Sequence, residues 1–155
     1  MSDQTNKLIE LAKDLGVEGT LDPEYDSLVS TGEDVSASLL ALALKKLGIH
    51  ARSWRGWQVP INTDSFFSNA KIKSVNTKKL IQSFKDGLEV AVISGFQGVD
   101  DNRRITTLGR GGSDTSAVAI AASIGSERCD IYTDVSGIYT TDPRIKRKAA
   151  KIKKI

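Results

Sequence analysis

Apolar residues recur at helical spacing over residues 5–15, at Leu8, Ile9, Leu11, Ala12 and Leu15, and Gly16 follows as a stop. Residues 17–29 carry no such period, and Asp22-Pro23 reads as a turn. From about 33 to 47, Leu39, Leu40, Leu42, Leu44 and Leu47 surround most of a helix circumference. That pattern predicts a deeply buried helix, ended by Gly48. Short strands are expected at residues 49–54, at 70–75 (half exposed, with Ile72 between lysines) and at 90–93, a compact β-branched run. Residues 78–85 read as a helix closed by Asp86-Gly87, and 113–124 as an alanine-rich helix capped by Gly125. Residues 130–133 complete the series as a buried strand. Helices alternating with short apolar strands predict one α/β domain with a parallel sheet. Such sheets bind ligands beyond the carboxyl ends of their strands, which directs attention to residues 94–99, 109–114 and 134–144.

Composition changes this picture little. The chain has 155 residues, 39% of them hydrophobic, enough for one core. No run of 18 apolar residues exists, so no membrane span is expected. The amino terminus lacks the apolar stretch of a secretory signal. Cys129 is the only cysteine, which excludes a disulfide framework and suggests a reducing, cytoplasmic setting. The net charge of +3 comes from one place: residues 144–155 hold seven basic residues and no acid. Without them 15 basic residues face 19 acidic ones, a balance of −4. A mildly acidic body with one basic terminal run does not point to nucleic acid.

The most informative stretch is Thr106-Thr107-Leu108-Gly109-Arg110-Gly111-Gly112-Ser113-Asp114-Thr115. Its glycines let backbone N–H groups approach an anion, the following helix adds partial positive charge, and Arg110 can fork onto a carboxylate or phosphate. The same residues also read as an ordinary turn, with Ser113 as N-cap and Asp114 complementing the helix dipole. The stretch is neither a Walker A loop nor a dinucleotide fingerprint. Ser30-Thr31-Gly32-Glu33 has capping-box spacing, and Glu33 is alternatively an acceptor for a substrate ammonium group. Residues 132–144 open from a strand into polar and aromatic residues suited to a nucleotide, or simply to turns. Residues 94–99 again bring glycine beyond a strand. Other chemistries fit poorly. His50 is the only histidine and falls in a strand, so neither a His/Cys metal cluster nor a Ser–His–Asp triad is expected. Cys129, Trp54 and Trp57 read as packing residues.

Taken together, Leu28-Val29-Ser30-Thr31-Gly32-Glu33, Gly56-Trp57-Gln58, Gly95-Phe96-Gln97-Gly98, residues 106–115 and residues 132–144 resemble the successive signature blocks of aspartokinases, in order and over nearly the whole chain. The resemblance implies a three-layer α/β/α sandwich with a mainly parallel sheet, as in the amino-acid kinase and carbamate kinase-like fold. It implies transfer of a phosphoryl group from ATP, carried with Mg²⁺, to the side-chain carboxylate of L-aspartate, the first step of lysine, threonine and methionine biosynthesis. By the same resemblance Asp114 organises the catalytic lysines, and Glu33, Arg110, Gly111, Gly112 and Ser113 hold aspartate, with Thr5 nearby. Thr133, Asp134, Tyr139 and Arg144 match ATP-binding positions. No metal ligand is assigned within the chain. The family's Lys-Phe-Gly-Gly strand and its regulatory ACT domains are not found here, so residues 1–155 read as a partial catalytic domain truncated at both ends. The whole protein is expected to be a homo-oligomer. The alternative is a non-catalytic fragment or split subunit that needs another chain to complete its site.

Overall fold

In the computed structural model, the described residues are 4–17, 21–109, 111–132, 140–141, 146 and 149–150. The chain opens with α1 (Gln4–Asp14) and α2 (Pro23–Lys46). Asp22 caps α2 by accepting the Glu24 amide at 2.7 Å, and Pro23 occupies the first turn, where its missing N–H costs nothing. Asp22-Pro23 is therefore a helix start. One 24-residue helix replaces the expected loose segment and shorter helix. Ser30 and Glu33 lie in its middle and form no capping box. Leu39, Leu40, Leu42 and Leu47 are 50%, 50%, 63% and 76% exposed, so the leucine-rich half is not deeply buried.

Then follow β1 (Ala51–Trp54), β2 (Ile61–Thr63), β3 (Ile72–Val75), α3 (Lys78–Lys85), β4 (Val90–Ile93), β5 (Gln97–Val99), β6 (Ile105–Thr107) and α4 (Gly112–Ile124). Strands β1 and β4 pair in parallel, Ala51 with Val90 through Trp54 with Ile93. A second sheet has the order β3-β2-β5-β6; its β2–β5 pairing is parallel and its two outer pairings are antiparallel. Three-residue strands β2, β5 and β6 were not anticipated, because so short a run has no readable period. His50 precedes β1 and is exposed, with Nδ1 2.8 Å from the Gly87 carbonyl oxygen. Residues 130–132 form no strand, and Tyr132 is 93% exposed; Thr133 lies outside the described residues. Cys129 is exposed, and Trp57 is half exposed, so neither is the core residue expected.

Trp54, Val59, Ile61, Leu80, Leu88 and Ile120 form the buried core, with Ala91 and Ile93 packed against it. Ala91 and Ile93 face α3 and α4 across an apolar cavity of about 290 Å³. Strand alternation turns Val90 and Val92 the other way, and α2 is the helix that also packs on β4. Helices thus cover both faces, which bears out the α/β/α class. No helix among the described residues is long and apolar enough to cross a membrane.

Candidate functional site

The amino-terminal half of α2 supplies the first wall. Gly32 lets α1 approach: a Cβ there would stand 2.9 Å from Thr5 Oγ1 and 3.3 Å from Thr5 N. Thr5 is thereby placed one residue from Glu33. Glu33 is partly buried, and its carboxyl is pushed above the usual value, first by burial and then by the neighbouring Asp34 charge. Such a carboxylate gains from a cationic ligand.

Asp34 ties this wall to the end of β4. Its Oδ1 accepts from Ser94 Oγ at 2.8 Å and from Gln97 Nε2 at 3.2 Å, and its Oδ2 lies 3.2 Å from Arg55 Nε. Gln97, almost fully buried, also donates to the Ser30 carbonyl and accepts from the Gly56 amide, both at 3.2 Å. One amide side chain therefore joins α2, β5 and the turn after β1. Such a satisfied buried group fixes relative positions as well as contributing stability.

The second wall is the glycine loop and the start of α4. A Cβ at Gly95 would stand 3.3 Å from Ser113 Cα, and one at Gly112 would stand 2.9 Å from Phe96 Cδ2. Phe96 N donates to Ser116 Oγ at 3.0 Å, and Ser116 Oγ donates to the Gly112 carbonyl at 2.7 Å. Phe96 has φ 65, a conformation costly for a bulky residue and found where surroundings enforce it. Gly109 (φ 72) and Gly111 (φ 76) adopt left-handed backbone that only glycine takes freely. Gly111 is the α4 N-cap, so Ser113 is a first-turn residue rather than a cap. Asp114 stands in the same turn, where the helix dipole favours its charge. Both side chains are exposed.

Asp26 holds this loop from below. It is 0% exposed. Its Oδ2 accepts from the Thr107 amide at 2.6 Å and from the Ser68 amide at 2.9 Å. Its Oδ1 accepts from Thr107 Oγ1 at 3.0 Å and Ser68 Oγ at 3.2 Å. Gly109 packs on Ser68 and Asn69, with a Cβ there 2.8 Å from Asn69 Oδ1. Asp26 thus fixes both the strand that leads into the loop and the turn that supports it.

Of the residues singled out from sequence, Thr5, Glu33, Gly111, Gly112, Ser113 and Asp114 fall along one continuous path. It runs from Thr5 beside Gly32, through Glu33 and Asp34 to Ser94, and through Gly95 to Ser113. Arg110, Thr133, Asp134, Tyr139 and Arg144 lie outside the described residues. Asp26 and Asp34 were missed. Their partners are 81 and 60 residues away, at Thr107 and Ser94, and no local pattern marks them.

Residues 2–155 match the model of the amino acid kinase family. The chain is 47% identical over 155 residues to an aspartokinase of Bacillus sp. (strain MGA3) and 51% over 156 to an aspartate kinase of Pseudomonas fluorescens (strain SBW25). Both alignments use the whole chain but only 37% and 38% of the relatives' length. The crystal structure of E. coli aspartokinase III in complex with aspartate and ADP superposes with a TM-score of 0.74 at 33% identity, over 97% of this chain and 34% of that one. Isopentenyl phosphate kinase, at TM-score 0.61 and 21% identity, shares the fold.

Proposed function

The chain belongs to the amino acid kinase family, and from that premise we propose that it is the acceptor-binding part of an aspartate kinase. The reaction is attack of the L-aspartate side-chain carboxylate on the γ-phosphorus of MgATP. A new P–O bond forms, the bond to ADP breaks, and the products are 4-phospho-L-aspartate and ADP. The observation that carries this reading is the path just described: a partly buried carboxylate, Glu33, stands next in α2 to Asp34, which bonds Ser94 beside the Gly95 that packs on Ser113 at the glycine-rich start of α4.

Glu33 holds the aspartate ammonium group, whose positive charge relieves the cost of an ionised carboxylate beside Asp34. Thr5 flanks it. The amino end of α4, at Gly111, Gly112 and Ser113, turns its partial positive charge toward developing negative charge. Arg110 clamps the acceptor carboxylate in a fork, which reduces its repulsion from the phosphates. Asp114 positions cationic groups around the transferred phosphoryl. Phosphoryl transfer asks mainly for such alignment and charge neutralisation. Thr133, Asp134, Tyr139 and Arg144 take the nucleotide by motif. A cytoplasmic place in lysine, threonine and methionine biosynthesis goes with this activity.

A second reading is that the chain binds acceptor but turns over only when another polypeptide completes the site. The chain spans 37% of the length of the Bacillus aspartokinase it matches. A coupled ADP-release assay on the purified chain, with aspartate binding followed by calorimetry, separates the two. Aspartate-dependent ADP release without any other polypeptide selects the first reading, and aspartate binding without turnover selects the second. Absence of both overturns the assignment of this site.

A further inference from the structure

Both tryptophans of the chain border a cavity of about 790 Å³ whose lining shares no residue with the acceptor path described above. Its walls come from β1, β2, the start of α3 and the β5–β6 turn, and none of Thr5, Glu33 or residues 111–114 lines it. The volume is in the range of small-molecule sites. Trp54 is 3% exposed and forms part of the wall, with the Arg52 guanidinium stacked 4.1 Å from its ring centroid. Trp57 is 48% exposed and offers an open aromatic face.

The charges in the cavity do not cancel. Asp100 and Asp101 line it, but both are engaged. Asp100 accepts from Ser65 Oγ and the Asn102 amide at 2.9 Å and from the Arg104 amide at 2.8 Å. Burial disfavours its charge, yet the hydrogen bonds from Arg104, Ser65 and Asn102 outweigh burial and hold its carboxyl below the usual value. These bonds also fix the turn that presents Arg103 with φ 61. Asp101 pairs with Lys73 Nζ at 3.0 Å. Arg52, Lys79 and Arg103 remain, all exposed, and none makes an ion pair among the described residues. A guanidinium stacked on indole keeps its N–H edge free for an oxyanion. In the same wall the Trp54 indole N–H is buried with no acceptor among the described residues, an orphan donor of a kind folded proteins rarely keep.

We propose that this cavity is a second ligand site, for an aromatic anion whose ring stacks on Trp57 and whose phosphate or carboxylate is held by Arg52, Lys79 and Arg103. Cation and aromatic face meet in one concave place, and neither alone would select such a ligand.

The test uses the whole chain and its own fluorescence, since every tryptophan is at the site. Phenyl phosphate is the probe. A saturable change in emission is expected, with a half-point below about 1 mM. Benzyl alcohol, which has the ring without the charge, is expected to give no saturable change, and inorganic phosphate to bind at least tenfold more weakly. Raising salt should weaken the response, because the cations are exposed. Lys79→Gln combined with Arg103→Gln should weaken phenyl phosphate at least tenfold without moving the melting temperature, since both side chains are on the surface. Saturating MgATP should leave the titration unchanged. A linear, unsaturable quench overturns the proposal. So does an identical response in the double variant, or displacement of the probe by MgATP, which would place it in the nucleotide site. None of these outcomes depends on turnover or on aspartate binding.

Discussion

Residues 23–34 of α2 and residues 35–46 of the same helix reverse the usual pairing of burial with hydrophobicity. The first half is largely polar, yet Asp26, Val29, Ser30 and Gly32 are buried in it. The second half holds four leucines, and three of them, Leu39, Leu40 and Leu42, are at least half exposed. Burial in the first half is set by what must be held in place: β6 and the Ser68 turn by Asp26, and α1 by Gly32. The leucines gain only what the neighbouring elements cover. A buried polar side chain with every partner in place marks where a fold needs exact relative positions, and a run of leucines does not.

The largest effect expected from breaking this contrast is at Asp26. Asp26→Asn keeps the volume but replaces one acceptor oxygen with a donor facing Thr107 and Ser68 donors. Urea denaturation should show a loss of about 3 kcal/mol, from several buried partners left imperfectly satisfied. Amide hydrogen exchange at residues 109–112 should accelerate with it. A loss under about 1 kcal/mol would mean that Asp26 does not hold the loop.

Glu33 comes next, and it separates holding from binding. In Glu33→Gln the aspartate affinity should fall at least about tenfold, or ~1.4 kcal/mol, by calorimetry. The stability effect has the opposite direction. A carboxyl raised in the folded state contributes stability that is complete below its usual value of 4.5 and is lost as pH rises through the raised value. Removing the charge removes that loss. The variant should therefore match the parent below pH 4.5 and be equal or more stable at neutral pH. In the parent, aspartate affinity should weaken on acidification before ordinary carboxylates titrate. A variant that is less stable at neutral pH with unchanged affinity would make Glu33 structural.

Gly32→Ala sets two smaller terms against each other. Alanine favours helix by about 1 kcal/mol. Its methyl group would meet Thr5 Oγ1 at 2.9 Å and force α1 to shift, a kind of overpacking that costs about 1–3 kcal/mol. A net loss near 1 kcal/mol is expected, with weaker aspartate binding because Thr5 moves. A gain in stability would show that α1 yields freely. The smallest effect should come from Leu42→Lys in the outer half, within about 0.5 kcal/mol. A loss above about 2 kcal/mol would show that this face is covered in solution.

Much of the fold was legible where a residue's neighbours in sequence are also its partners. The spans of α1, α3 and α4, and the strands β1, β3 and β4, follow from periodicity and from glycine stops such as Gly16, Gly87 and Gly125. The start of α2 was written in Asp22-Pro23, but the same dipeptide also makes turns, and only the Glu24 amide on the Asp22 carboxylate decides between them. Ser30 and Glu33 carried capping-box spacing that a helix beginning at Pro23 makes irrelevant. Strands β2, β5 and β6 exist because they pair with each other across the chain, and three residues have no period of their own.

The candidate site divides in the same way. The sequence by itself determined its chemistry: a glycine-rich run around Arg110 before a helix, an acid after Thr31-Gly32, and glycines following a β-branched strand are local patterns. Tertiary structure alone decided that these segments meet, and which side chains make them meet. Asp34 reaches Ser94, Gln97 spans α2, β5 and the turn after β1, and Asp26 reaches Thr107 across 81 residues. It also decided that Leu39, Leu40 and Leu42 of α2 face outward and that two tryptophans frame a cationic cavity. Local propensity acts over one turn or one strand. A buried hydrogen bond between distant residues becomes favourable only after the chain has closed around it, so no window of sequence can announce it.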